Sequence, residues 1–245
     1  MKIGIAQLSP RRGDIAHNVQ VHQTMTEQAV AAGVSALFFP ELSLTGYEPE
    51  LAHSLATSPN DTLFDLLQAL SDWGQITLGV GMPLRRGEGV QIGMVLLQPG
   101  QPRQVYAKQY LHPDEYPYFV AGTEPGLISV QGTNVALAIC YEISIPGHPQ
   151  RAYQDGAHLY VASVAKSAEG VEKATMALSA ISNAYAMPVL MANNIGPCDN
   201  FVAAGQSGVW DAQGTKLAQL DSTAEGLLIY NTQTGSTYTD YTSQY

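Results

Sequence analysis

The chain has 245 residues, 45% hydrophobic and only 13% charged, with a formal net charge of −10 from 21 acidic and 11 basic residues. It is too apolar for a disordered chain and long enough to bury a substantial core. With no Lys/Arg run to neutralise phosphates, nucleic acid and anionic membrane surfaces are not expected partners.

The first strand is read over residues 2–7, and the polar turn Gln7-Leu8-Ser9-Pro10 cuts it too short for a signal-peptide core. No stretch approaches the roughly 18 apolar residues of a spanning helix, so a cytoplasmic location is expected. Asp14 or Asn18 caps a helix running to about Ala32, with Val21, Met25 and Ala29 on one face and Gly33 ending it. Ala36-Leu37-Phe38-Phe39 is a second short strand, broken by Pro40 and followed at once by Glu41. Strand, helix and parallel strand make the βαβ opening of an α/β fold.

Leu63, Leu66, Leu67 and Leu70 mark a helix over residues 61–74, and a strand follows over 76–81. Residues 92–97 and 104–110 flank the turn cluster Pro99-Gly100-Gln101-Pro102 and predict a hairpin, hence a mixed sheet. Leu127-Ile128-Ser129-Val130 leads through a turn into Val135-Ala136-Leu137-Ala138-Ile139, a buried strand bounded by the turn formers Gly132-Thr133-Asn134 before and Pro146-Gly147 after, which delivers Cys140 to its own end. Strands over 159–164 and 189–192 bracket a helix over 171–186 with Val171, Ala174, Leu178, Ile181 and Tyr185 on one face. Residues 208–210, 216–220 and 226–230 predict a closing antiparallel meander. Residues 232–245, polar and tyrosine-rich, read as a tail, mobile or packed on a partner. With no repeat and no linker, residues 1–245 are expected to form one domain.

Glu41, Lys108 and Cys140 each sit near the end of an apolar strand. In open α/β sheets ligands collect outside the carboxyl ends of the strands. Taken singly, each has a structural alternative: surface carboxylate, edge-strand charge, small core hydrophobe. Two cysteines, Cys140 and Cys198, cannot make a disulfide framework, although one bridge between them is open, and a reducing compartment fits best. The six histidines show no His-x-x-x-His spacing and no Gly-rich phosphate loop appears, so neither metal nor organic cofactor is expected.

Five motifs occur in a set order: Ile3-Gly4-Ile5-Ala6-Gln7 with Gly13-Asp14 and Asn18; Phe39-Pro40-Glu41-Leu42-Ser43-Leu44-Thr45-Gly46-Tyr47; Tyr106-Ala107-Lys108 with His112-Pro113; Ile139-Cys140-Tyr141-Glu142; and Gly205-Gln206-Ser207-Gly208-Val209-Trp210-Asp211 with Gly214. Over nearly its whole length the chain resembles the nitrilase superfamily of carbon-nitrogen hydrolases. The resemblance implies an α/β fold, an α-β-β-α sandwich that pairs with a second copy as a homodimer or higher assembly, and a Glu-Lys-Cys triad. Low charge content agrees with such an assembly. By resemblance Cys140 is the nucleophile, Glu41 its base, Lys108 the cation beside the oxyanion, and the Tyr141 N–H the second oxyanion donor. Glu115, four residues before Phe119, is the implied fourth member, orienting the substrate nitrogen or the water. Glu142 is placed with Tyr141 at the oxyanion and substrate-binding edge. The chemistry explains the residue types: the thiolate is the nucleophile, and a carboxylate desolvated beside Phe38, Phe39 and Pro40 has a pKa raised toward a useful base.

Tyr141 followed by an acid resembles the amidase branches, where nitrilases carry tryptophan. Ile143-Ser144-Ile145-Pro146 lacks the arginine that relatives use for carboxylate-bearing substrates, leaving Lys166 or Arg151 as substitutes; a small, neutral or cationic linear amide is therefore expected. Residues 45–50 also resemble the glutaminase part of glutamine-dependent NAD synthetases, a reading that needs a separate partner chain. The alternatives are a nitrile substrate or a non-catalytic binding or regulatory member of the same fold.

Overall fold

The computed structural model describes residues 1–241. Its strands are β1 (Lys2–Gln7), β2 (Ala36–Phe38), β3 (Thr77–Arg86), β4 (Gly89–Leu97), β5 (Gln104–Ala107), β6 (Leu127–Val130), β7 (Thr133–Ile139), β8 (Leu159–Val164), β9 (Val189–Asn193), β10 (Ile195–Cys198), β11 (Phe201–Ala204), β12 (Gly208–Trp210), β13 (Lys216–Gln219), β14 (Gly226–Asn231) and β15 (Thr237–Tyr241). The helices are α1 (Ile15–Ala31), α2 (Ala52–Leu55), α3 (Asp65–Gly74), α4 (Gly147–Gln154) and α5 (Ala168–Tyr185). One sheet has the order β15-β14-β1-β2-β3-β4-β5, the other β13-β12-β9-β8-β7-β6, and β10-β11 form a separate hairpin.

Strand periodicity builds the layers. Val135, Leu137 and Ile139 of β7 point into the core between the sheets, with Ile3 and Ile5 of β1. Ala136 and Ala138 face the opposite way, into a core that α5 covers with Val171, Ala174 and Leu178. Ala6 of β1 and Leu37 of β2 likewise meet Met25 and Ala29 of α1 and Leu67 of α3. Both faces of the central strands are thus buried, which is why they read as continuous apolar runs. The result is the expected four-layer α-β-β-α sandwich. Each sheet is mixed: β1-β2-β3 and β7-β8-β9 are parallel, with antiparallel strands outside them.

Three expectations are corrected. The meander over residues 208–230 is broken, because β12 and β13 pair in one sheet while β14 crosses to the other and pairs antiparallel with β1, Ile3 against Tyr230. Leu227 and Ile229 pack toward the helices, Leu228 and Tyr230 between the sheets, so this strand needs neighbours on both faces. The tail contributes β15, an edge strand in register from Gly226–Tyr241 to Tyr230–Thr237; residues 242–245 lie outside the described residues. Finally, Pro146-Gly147, read as a turn bounding the cysteine strand, opens α4.

Candidate active site

Glu41 follows β2 in a turn laid across β3. Phe39 N–H donates to Gly79 O at 2.9 Å and Leu44 N–H to Gly81 O at 3.0 Å. Only glycine at position 81 permits this contact, since a Cβ there would lie 2.4 Å from Leu42 N and 2.5 Å from Pro40 O. Leu42, next to Glu41, takes a left-handed φ of 51°, and Cys140 one of 46°. Both are sparsely populated conformations for side-chain-bearing residues, held by their surroundings, and both aim a reactive group. From beneath, His22 of α1 bonds Ser43 Oγ through Nε2 at 2.9 Å, and Asn194 Nδ2 donates to Glu41 O at 3.0 Å.

Lys108 lies one residue past β5, its N–H donating to Ile92 O at 2.9 Å. Its ammonium is fully buried between two carboxylates, 2.8 Å from Glu41 Oε1 and 2.6 Å from Glu115 Oε1. Glu115 Oε1 also accepts from Tyr47 OH at 2.9 Å, and Oε2 from the His112 N–H at 2.7 Å. Glu41 Oε2, by contrast, is buried with no hydrogen-bond partner among the described residues. The Cys140 thiol is a polar neighbour of the Glu41 carboxyl group.

Electrostatics distinguishes the members. Burial pushes Glu41 above the ordinary carboxylate range; Lys108 opposes this and Glu115 adds to it. Burial also pushes the Cys140 thiol up, Glu41 reinforcing it against Lys166 and Lys108. Desolvation alone would lower Lys108, but Glu41, Cys140 and Glu115 together outweigh it and hold the ammonium charged. Burial and the neighbouring carboxylates keep Tyr47 protonated, a permanent donor to Glu115. At rest the site therefore holds a neutral thiol beside a carboxyl group with an unpartnered, desolvated oxygen. Such a pair is set for proton transfer.

Cys140 opens onto a cavity of about 250 Å³ lined by Tyr47, His112, Glu115, Tyr141, Lys166 and Phe201, among others. Glu41, Lys108, Glu115, Cys140 and Tyr141, all named from the sequence, are brought together. Glu142 is not. It is fully buried behind the nucleophile turn, Oε2 accepting from Ile139 N at 2.7 Å and Tyr106 OH at 2.6 Å, Oε1 from Gln109 N at 2.6 Å. Its expected place at the substrate edge is corrected: both oxygens are consumed by the backbone beside Cys140 and beside Lys108. Burial raises Glu142 to about 7, its hydrogen bonds opposing. His148 of α4 extends the network, bonding Tyr106 OH at 2.9 Å and Tyr160 OH at 2.8 Å, and burial lowers it to about 4, so it is neutral.

Arg151 is also remote, paired with Asp155 at 2.8 Å on a different groove. Both cysteines are free, and burial raises Cys198 to about 12, so they form no bridge. Phe201, from the hairpin no strand pattern had marked, closes the cavity beside Tyr47, ring centroids 5.9 Å apart. Among the described residues no group of three His, Cys, Asp or Glu is arranged to hold a metal.

The profile of the carbon-nitrogen hydrolase family matches residues 2–240. This chain belongs to the carbon-nitrogen hydrolase family. As a member of it, the chain is 28% identical to an (R)-stereoselective amidase from a Pseudomonas species, over 89% of this chain and 80% of that protein. It is 29% identical to a glutamine-dependent NAD(+) synthetase of Thermotoga maritima over 87% of this chain, spanning 39% of the length of that synthetase. Among solved structures, an amidase from Nesterenkonia sp. AN1 of the nitrilase superfamily superposes with a TM-score of 0.85 at 26% identity, covering 94% of this chain and 89% of that one; the matching structure is a cysteine-to-alanine variant in complex with butyramide. The fold is that of the nitrilase superfamily, and the chain is a hydrolase of carbon-nitrogen bonds other than peptide bonds.

Proposed function

We propose that this hydrolase is an amidase that cleaves a small linear amide through a Cys140 thioester, with Glu41, Lys108 and Glu115 completing the site. The observation that carries the reading is the buried Glu41 Oε2, without a hydrogen-bond partner among the described residues, in a carboxyl group that neighbours a thiol opening onto the cavity. Glu41 takes the thiol proton as sulfur attacks the carbonyl carbon. The oxyanion that forms lies against the Lys108 ammonium and the Tyr141 N–H, charges fixed before reaction. Glu41, now protonated, returns the proton to the departing nitrogen, and ammonia or an amine leaves. Water then enters, Glu41 removes its proton, and the thioester is hydrolysed to the acid and free thiol. Glu115, fixed by three donors, orients the substrate nitrogen and then the water. A nitrile would form a thioimidate instead, and one additional water would have to add to it before ammonia leaves and the same thioester is reached. The chemistry invokes no metal or organic cofactor.

The similarity to glutamine-dependent synthetases adds glutamine to the substrates worth trying. Exposed Tyr153 on α4 and Met176 on α5, in a chain of low charge, support a homodimer or higher assembly through the outer helices. Among the described residues no helix is long and apolar enough to cross a membrane, and the free cysteines support a cytoplasmic setting. The deciding experiment is intact mass after brief incubation with short amides and nitriles. An acyl adduct on the native chain, absent from Cys140→Ala, is expected and its mass names the acyl group. Equal labelling of the two chains by a thiol-directed probe would instead favour the non-catalytic reading.

A further inference from the structure

Lys166 is a cation with no counterpart. It lies two residues past the end of β8, the strand beside the one that carries Cys140, and lines the same cavity. Its backbone is pinned three ways: the N–H donates to Asn193 Oδ1 at 2.9 Å, and the carbonyl accepts from Asn193 Nδ2 at 3.1 Å and Ala204 N at 2.9 Å. The preceding carbonyl, Ala165 O, is 3.9 Å from Cys140 Sγ. Yet the ammonium of this half-buried residue makes no ion pair or hydrogen bond among the described residues, in a chain of net charge −10.

Of the three carboxylates that line the cavity, Glu115 and Asp114 are engaged elsewhere, and Asp199 makes no ion pair with Lys166 among the described residues. Glu115 is held by Lys108, Tyr47 and the His112 N–H, and Asp114 by the His112 ring. Asp199 is exposed at the rim and shares a second groove with Arg11 and Arg12. Glu169, in the first turn of α5, is turned to Lys173 at 2.6 Å. The amino end of α5, at Ser167 and Gly170, adds its own partial positive charge to the same wall. An ammonium left unpaired at a cavity wall gains most from a ligand that brings its own negative charge.

We propose that Lys166 is a specificity-determining residue that receives a carboxylate at the end of the substrate remote from its carboxamide. The inference rests on the amidase reading and reverses the neutral or cationic preference expected from residues 143–146. A cavity of about 250 Å³ restricts the class to short ω-carboxamides of carboxylic acids.

The test compares succinamate with butyramide, near-isosteric amides that differ by the terminal carboxylate. In the native enzyme the ratio of their kcat/KM values favours succinamate by about tenfold or more, the scale of one charge-assisted pair. Lys166→Met lowers that ratio by a similar factor and Lys166→Arg restores most of it. An unchanged ratio in Lys166→Met overturns the proposal. If neither amide is hydrolysed, the amidase reading fails separately, and alkylation of Cys140 still decides the role of Lys166. The rate with iodoacetate relative to iodoacetamide cancels thiol reactivity. A fall of about fivefold or more in Lys166→Met supports the carboxylate site, and no change refutes it.

Discussion

Two buried polar clusters flank the nucleophile turn, and they differ in what is left over. On the cavity side, Glu41 and Glu115 hold one ammonium, that of Lys108, between two carboxyl groups, and one oxygen of Glu41 has no partner among the described residues. On the sealed side, Glu142, Tyr106, His148 and Tyr160 form a network in which both Glu142 oxygens accept hydrogen bonds. Burial raises both Glu41 and Glu142, so a perturbed carboxylate does not by itself mark a reacting group. What separates them is the spare oxygen and the neighbouring thiol that opens onto a cavity. A satisfied buried network holds shape; an unsatisfied one holds potential for chemistry.

The sharpest way to break this comparison is Glu41→Gln. The Lys108–Glu115 pair survives, so the fold should be kept, with Tm within about 5 °C of native, while kcat/KM falls by roughly a thousandfold, as loss of a general base implies. A large Tm loss with intact turnover would reverse the roles assigned to the clusters. Glu142→Ala should do the opposite. Two backbone donors and a tyrosine hydroxyl lose their acceptor, costing about 3 kcal/mol or more and roughly 8 °C in Tm, and activity falls only as the Ile139–Cys140 and Lys108–Gln109 segments loosen.

The titration of Glu142 sharpens the contrast. Its folded pKa, about 7, lies above the ordinary value of 4.5. Below pH 4.5 both folded and unfolded forms hold the proton and nothing is lost. Between 4.5 and about 7 the unfolded chain releases it while the fold retains it, so stability falls as pH rises. Relative to Glu142→Gln, the native chain should lose up to about 3 kcal/mol across that window, seen in denaturant melts at pH 4.5 and 7.5. Glu41 titrates in activity: its raised pKa should set the acid limb of kcat/KM above the usual carboxylate range, and that limb should vanish in Glu41→Gln. The smallest effect is expected at Tyr47→Phe, which removes one of three donors to Glu115 and should cost about 1 kcal/mol, near fivefold in kcat/KM.

The sequence pattern carried the interior well. Buried parallel strands such as β8, read over residues 159–164, announce themselves as apolar runs, and Glu41, Lys108 and Cys140 stand where those runs stop. Periodicity carries no information about sheet membership, so the crossing of β14 to β1 was invisible. The short β10-β11 hairpin alternates too weakly around Gly196 and Pro197 to be seen, and with it Phe201 escaped notice. The direction of a side chain after a turn is equally silent in one dimension. Glu142 is two residues from Cys140 yet faces the other way, because the helical turn over Cys140–Ser144 rotates it behind the nucleophile. His148 and Tyr160, separated in sequence, are joined only through α4.

The pairing of β1 with β14 also bears on synthesis. The second strand edge of β1 is covered by residues 226–231, the last but one strand of its sheet in the described chain. At about 5 to 20 residues per second, some 10 to 45 s separate translation of these two partners. Throughout that interval Ile3 and Ile5 sit on an unpaired edge that invites association with other chains, and the sheet that supports Glu41 is unfinished. Cys140 is made well before that sheet can close, so the nascent thiol emerges without its completed base. Assembly of the reactive centre is thereby deferred until residues 226–231 have been made, when the fold can also bury the edge.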